Sequence, residues 1–162
     1  MSTLVHLSAE GALQRWEPAL RAEEQALRAI YLHPRAVDWL THTLPELEPT
    51  WNLEVDPAEE LDAFANVFFR GETLAFDKQV KPLRHISAGI WELKTAELRL
   101  FGWFASRDIF ICSAVDSATK IKQHRLYAGY RDQAVRDRVA LNLDEPKFVS
   151  GDEIENVLSN CR

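Results

Sequence analysis

At residue 86 of this 162-residue chain the hydrophobic pattern changes period. Before that point apolar residues recur at helical spacing. After it they alternate with a period of two over 88–94, 98–104 and 108–114. Thr95-Ala96-Glu97 and Ala105-Ser106-Arg107 are short enough to be hairpin loops between those runs. In the middle run Leu98, Leu100, Gly102 and Phe104 share one face, and Arg99, Phe101 and Trp103 share the other. A strand that is apolar on both faces belongs at the centre of a sheet. The pattern therefore predicts a small antiparallel meander flanked by helices.

Upstream, Leu13, Trp16, Leu20, Leu27, Ile30 and Tyr31 recur at roughly helical spacing and predict a helix over 13–31, its main part begun by Pro18. Pro34 opens a second helix carrying Val37, Leu40 and Leu44. Residues 51–55 alternate as a short strand would. The clearest local signal is Asp56-Pro57-Ala58-Glu59, a capping residue followed by proline at the first helical position. Behind it Leu61, Phe64, Ala65 and Phe68 form a core stripe that Gly71 terminates. Beyond the meander the sequence predicts a polar helix over 118–128, a break at Gly129, a helix over 131–141 and a short helix near 154–158. Residues 1–50 read as an N-terminal helical extension and 51–162 as an α+β domain, the two forming one compact unit.

Charge is divided unevenly. The net charge of −6 resolves into −9 over residues 1–77, +6 over 78–131 and −3 over 132–162. A basic middle between acidic ends suits phosphate or an acidic partner; it also suits a scaffold that neutralises its own acidic helices. No apolar run approaches the ~18 residues of a membrane span, so no membrane partner is expected. The N-terminus lacks the basic-then-apolar signature of a secretory signal. Cys112 and Cys161 are expected to be free thiols in a cytoplasmic protein. No spacing of His, Cys or carboxylates fits a metal site.

Lys81-Pro82-Leu83-Arg84, Gly89-Ile90-Trp91-Glu92-Leu93-Lys94 and Leu98-Arg99-Leu100-Phe101 follow one another at fixed offsets. Together they resemble the RelE/ParE superfamily of bacterial toxins, in particular its HigB-like and phage-derived members. Those carry K-P-L-R leading into a G-h-W/Y-E-L-R strand and then a Y-R-h-h-Y/F strand. The match covers about residues 57–115. It implies a RelE-like α+β fold, a three- to four-stranded antiparallel sheet packed by helices, and the toxin component of a type II toxin–antitoxin system. It also implies a cognate antitoxin as partner, mRNA or the ribosome as target, and cleavage without metal or small-molecule cofactor. The alternative is a toxin-like protein that docks on a target without cutting RNA.

Cleavage of this kind is attack of a 2′-hydroxyl on the adjacent phosphate. It needs a cation at the phosphoryl oxygens, a base for the hydroxyl and an acid for the departing oxygen. The resemblance places Arg99 as the cation, whose guanidinium can hold a phosphate with two parallel hydrogen bonds. Pairing with Glu92 or Glu97 across the hairpin is the structural use also open to it. Lys120, His124 and Tyr127 are spaced to share one face of the helix expected after the last strand and supply the acid–base candidates; a solvated surface face is the other reading. Lys81, Arg84, Lys94 and Lys122 are the RNA- or phosphate-binding candidates. His85 reads as a loop residue, and His6, His33 and His42 as structural or surface residues. Trp91, Phe101 and Trp103 suit either base stacking or a core beneath helices.

Overall fold

The computed structural model describes residues 2–50, 54–84 and 88–160. Its elements run α1 (Leu4–Ala9), β1 (Gln14–Arg15), β2 (Ala29–Leu32), α2 (Pro34–Asp38), α3 (Pro57–Phe69), β3 (Val80–Pro82), β4 (Trp91–Lys94), β5 (Leu98–Ser106), β6 (Ile109–Ser117), α4 (Ala118–His124), α5 (Tyr127–Ala140) and α6 (Ile154–Val157). The strands form one six-stranded mixed sheet ordered β1-β2-β6-β5-β4-β3. β2 runs parallel to β6, and every other pair is antiparallel.

This corrects the expectation of a small, purely antiparallel sheet of three to four strands. The meander itself is present as β4–β5–β6. Three further strands extend it, and two of them come from the first 50 residues. The physical reason lies in Ala29-Ile30-Tyr31-Leu32. Ile30 enters the core on one face of the sheet and Tyr31 the core on the other, as a strand requires. Pairing of Ala29 to Leu32 with Ile109 to Cys112 outweighs the helical spacing those residues share with Leu27. The helix expected over 13–31 accordingly does not form. The strand expected over 51–55 falls mostly on residues 51–53, outside the described residues.

The sheet is covered on both faces. α3 packs Leu61, Phe64, Ala65 and Phe68 against Trp91, Leu93, Leu100 and Phe104, and Val157 and Leu158 close the same side. On the other face α1, α4 and α5 bring Leu7, Ile121 and Ala134 against Phe101, Trp103 and Ile111. The start of α3 follows its sequence signal: the Asp56 side chain accepts from the Ala58 N–H at 3.1 Å, and Gly71 stands at φ 77° just past the end. Cys112 is buried in the sheet, and burial pushes its thiol far above the ordinary range. Trp91, Phe101 and Trp103 are core residues, each no more than 1% exposed, so they offer no surface for stacking bases.

The segment after β6 departs from expectation in a way that matters for the site. α4 ends at His124 because Arg125 adopts a left-handed conformation (φ 53°, ψ 53°), and α5 starts at Tyr127. The break falls here and not at Gly129, which lies inside α5. Among the described residues no helix is long and apolar enough to cross a membrane.

Candidate functional site

On the face covered by α4 and α5, the end of the sheet near the β4–β5 hairpin is left open. Register stacks charged residues across it: Lys81 of β3 lies opposite Glu92 of β4, and Lys94 of β4 lies opposite Arg99 of β5. The first turn of α5 and the last turn of α4 form one wall, and the chain from Lys81 to Arg84 forms the other. The result is a groove of about 500 Å³. Among the described residues Lys81, Arg84, Lys94, Arg99, Lys122 and Arg131 line it, against the single carboxylate of Glu92, with Tyr127 also in the lining. Lys81 pairs with Asp77 at 3.4 Å, Arg131 with Asp132 at 3.0 Å and Lys94 with Glu92 at 3.8 Å, so the imbalance rests on Arg84, Arg99 and Lys122, which have no ion pair among the described residues. The N-terminus of the 14-residue helix α5 opens on the same space through Tyr127 and Ala128, adding its positive end. A larger depression of about 610 Å³ lies between α3 and the β3–β4 edge. Its three cations face two carboxylates, so it lacks that imbalance.

Six of the eight residues singled out from sequence meet in the groove: Arg99, Tyr127, Lys81, Arg84, Lys94 and Lys122. Arg99 is only 6% exposed and sits at the floor. Its Nη1 donates to the carbonyls of Thr95 at 2.6 Å and Leu98 at 2.9 Å. Its Nε has no partner. Neither Glu92 nor Glu97 pairs with it, and among the described residues no carboxylate lies within salt-bridge distance of it. Asp116, its neighbour across β5–β6, is occupied by Tyr130 Oη, the Ser117 N–H and Lys120. The guanidinium is thus buried, rigidly held and not neutralised by an ion pair.

Lys120 and His124 do not join. The break at Arg125 puts them on a different helix from Tyr127. Lys120 Nζ turns to Asp116 at 3.4 Å, and His124 is exposed at the end of α4. Neither side chain lines the groove. Alanine at position 120 or 124 should therefore change RNA binding by no more than about threefold, or less than about 1 kcal/mol, in a titration with labelled oligonucleotide.

Two groove residues were not singled out from sequence. Arg131 donates from Nη1 to the Arg84 carbonyl at 2.7 Å and ties the two walls together. Its position four residues beyond Tyr127 on a helix was the signal that could have found it. Glu92 is 2% exposed; its Oε1 lies 3.8 Å from Lys94 Nζ, and its Oε2 has no hydrogen-bond donor. Burial pushes this carboxyl above its ordinary range, opposed by the charges of Lys94, Arg99, Lys81 and Lys122. Burial likewise pushes the Lys94 ammonium below its ordinary range, with Glu92 opposing.

The isolated histidines take other duties. His33 caps α2 by accepting the Arg35 N–H, while His6 and His42 pair with Glu10 and Asp38. His85 lies outside the described residues. Ser113, Asp137 and His33 cluster, yet the Ser113 hydroxyl donates to Asp137 and is buried, so His33 cannot activate it. No family model, no curated protein and no solved structure matches this chain.

Proposed function

We propose that this chain is a metal-independent endoribonuclease that seats single-stranded RNA in the basic groove, acting as the toxin of a type II toxin–antitoxin pair. The observation that carries the reading is the convergence of six cations from three separate stretches of chain on one groove. Three of those cations, Arg84, Arg99 and Lys122, have no ion pair among the described residues, and an anionic chain laid along the groove would compensate them. Lysines and arginines at the rim hold successive phosphates. Arg99 at the floor stabilises the charge that gathers on the phosphoryl oxygens, pre-organised by its bonds to Thr95 and Leu98. Tyr127 in the lining gives its proton to the departing 5′-oxygen and recovers one from water. An antitoxin that silences the protein would lay an acidic segment along the same groove.

The second reading, a docking protein that binds an acidic partner without chemistry, is favoured by one observation. Lys120 and His124, two of the expected acid–base residues, stand outside the groove. One experiment separates the two. Purified protein is incubated with single-stranded RNA in the presence of EDTA, and product ends are mapped. The endonuclease reading expects 2′,3′-cyclic phosphate and 5′-hydroxyl ends, with a fully 2′-deoxy oligonucleotide left intact. Binding of both oligonucleotides with no cleavage of either would leave the docking reading in its place.

A further inference from the structure

Among the described residues Glu92 is the one anion lining the groove, and half of its carboxylate has no hydrogen-bond donor. A buried acceptor without a donor is costly, and native structures keep one where a water or a ligand completes it or where it serves catalysis. The neighbours do not complete it. Lys94 Nζ is committed to the Asp77 carbonyl at 2.9 Å and reaches only Oε1 of Glu92, at 3.8 Å. Arg99 spends Nη1 on backbone carbonyls. A phosphate cannot fill the gap, because it brings acceptors and not a donor. A hydroxyl can. The ligand that satisfies both the cations and Glu92 therefore alternates anionic groups with hydroxyl donors, which describes a ribose-phosphate chain.

We infer that Glu92 is the groove's receptor for the ribose 2′-hydroxyl, selecting RNA over DNA, and the base that takes that hydroxyl's proton. This rests on the ribonuclease reading for its second half only. In the step, the 2′-O–H proton passes to the Glu92 carboxylate and the 2′-oxygen forms a bond to the adjacent phosphorus. The bond from phosphorus to the 5′-oxygen breaks, and the 5′-oxygen leaves with its electron pair and takes a proton from the groove lining. The products are a 2′,3′-cyclic phosphate and a 5′-hydroxyl, and no oxidant or reductant takes part. The groups that face Glu92 and set its protonation are Lys81 of β3, Lys94 of its own strand, Arg99 of β5 and Lys122 of α4. Arg84, Tyr127 and Arg131 complete the lining. Burial holds the carboxyl above its ordinary range, nearer the working pH of a base.

The test uses the full chain with matched RNA and 2′-deoxy oligonucleotides, read by fluorescence anisotropy and by cleavage. Wild type should bind the RNA about tenfold more tightly than the deoxy form, and Glu92→Leu should lose that preference. Glu92→Gln should keep RNA affinity within about threefold while cleavage falls at least a hundredfold. The wild-type rate should rise with pH through a limb displaced above the ordinary carboxylate range, and this limb should be missing from the residual activity of Glu92→Gln. Thermal melts of both variants show whether they are folded. Equal wild-type affinity for RNA and DNA overturns the receptor role. Full cleavage by a folded Glu92→Gln overturns the base role and leaves the ribonuclease reading standing. Glu92-dependent preference for RNA with no cleavage by wild type overturns the ribonuclease reading and leaves the receptor.

Discussion

Arg99→Ala is expected to lower RNA cleavage by about a thousandfold, and Arg99→Lys by at least about tenfold. Both variants should melt cooperatively. The guanidinium is 6% exposed and fixed through Nη1 to two backbone carbonyls, so it meets the phosphate with its geometry already set. A lysine keeps the charge but not the planar fork, and cannot reproduce two carbonyl contacts while facing the groove. Alanine also strands the Thr95 and Leu98 carbonyls, which costs about 1–3 kcal/mol of stability. Cleavage kinetics set beside thermal melts separate the two losses. Should Arg99→Ala cleave at the wild-type rate while folded, Arg99 would be a structural residue only.

The second large effect concerns the sheet that carries the site. Gly102→Ala is expected to cost about 4 kcal/mol or to prevent folding outright. A Cβ at this position would stand 1.8 Å from the Ile111 carbonyl oxygen. The clash is with backbone, so no side-chain rotation relieves it. It arises at a bulge. Phe101 pairs with Ala114 while Gly102 pairs with Cys112, so Ser113 is an extra residue on β6. The bulge re-aims β6 beyond it, where Val115 and Asp116 face Leu100 and Arg99. Urea denaturation of the purified variant checks the expectation. Wild-type stability would mean that β5 and β6 do not meet in this register.

The parts of this architecture legible in the sequence were those set by local chemistry. Asp56-Pro57 and the stripe from Leu61 to Phe68 announced α3, and alternation announced β4 to β6. β2 was not legible. Ile30 and Tyr31 fit a helical stripe as well as a strand, and the partner that decides the matter, Ile109 to Cys112, lies some 80 residues away. Nor was the turn at Arg125, since arginine carries no preference for a left-handed backbone and Gly129 is the more obvious breaker. That turn is why Lys120 and His124 were grouped with Tyr127 and are in fact apart. The groove's cations were legible as residue types because charge concentrates between residues 78 and 131. Glu92 is legible in the sequence only as a pairing candidate for Arg99, because alternation alone does not tell a buried glutamate from an exposed one. Only cross-strand register with Lys81 and Phe101, under the cover of α5, makes it a buried carboxylate.

The salt dependence of RNA binding measures most directly whether the groove's charge meets a phosphate chain. Phosphate contacts from Lys81, Arg84, Arg99 and Lys122 predict that log K falls with log salt with a slope of about −3 for single-stranded RNA. A triple variant lacking the exposed Lys81, Arg84 and Lys122 should show a slope of about −1 and weaker binding at every salt concentration. Identical slopes for wild type and the triple variant, or RNA binding that does not respond to salt, would contradict the central claim.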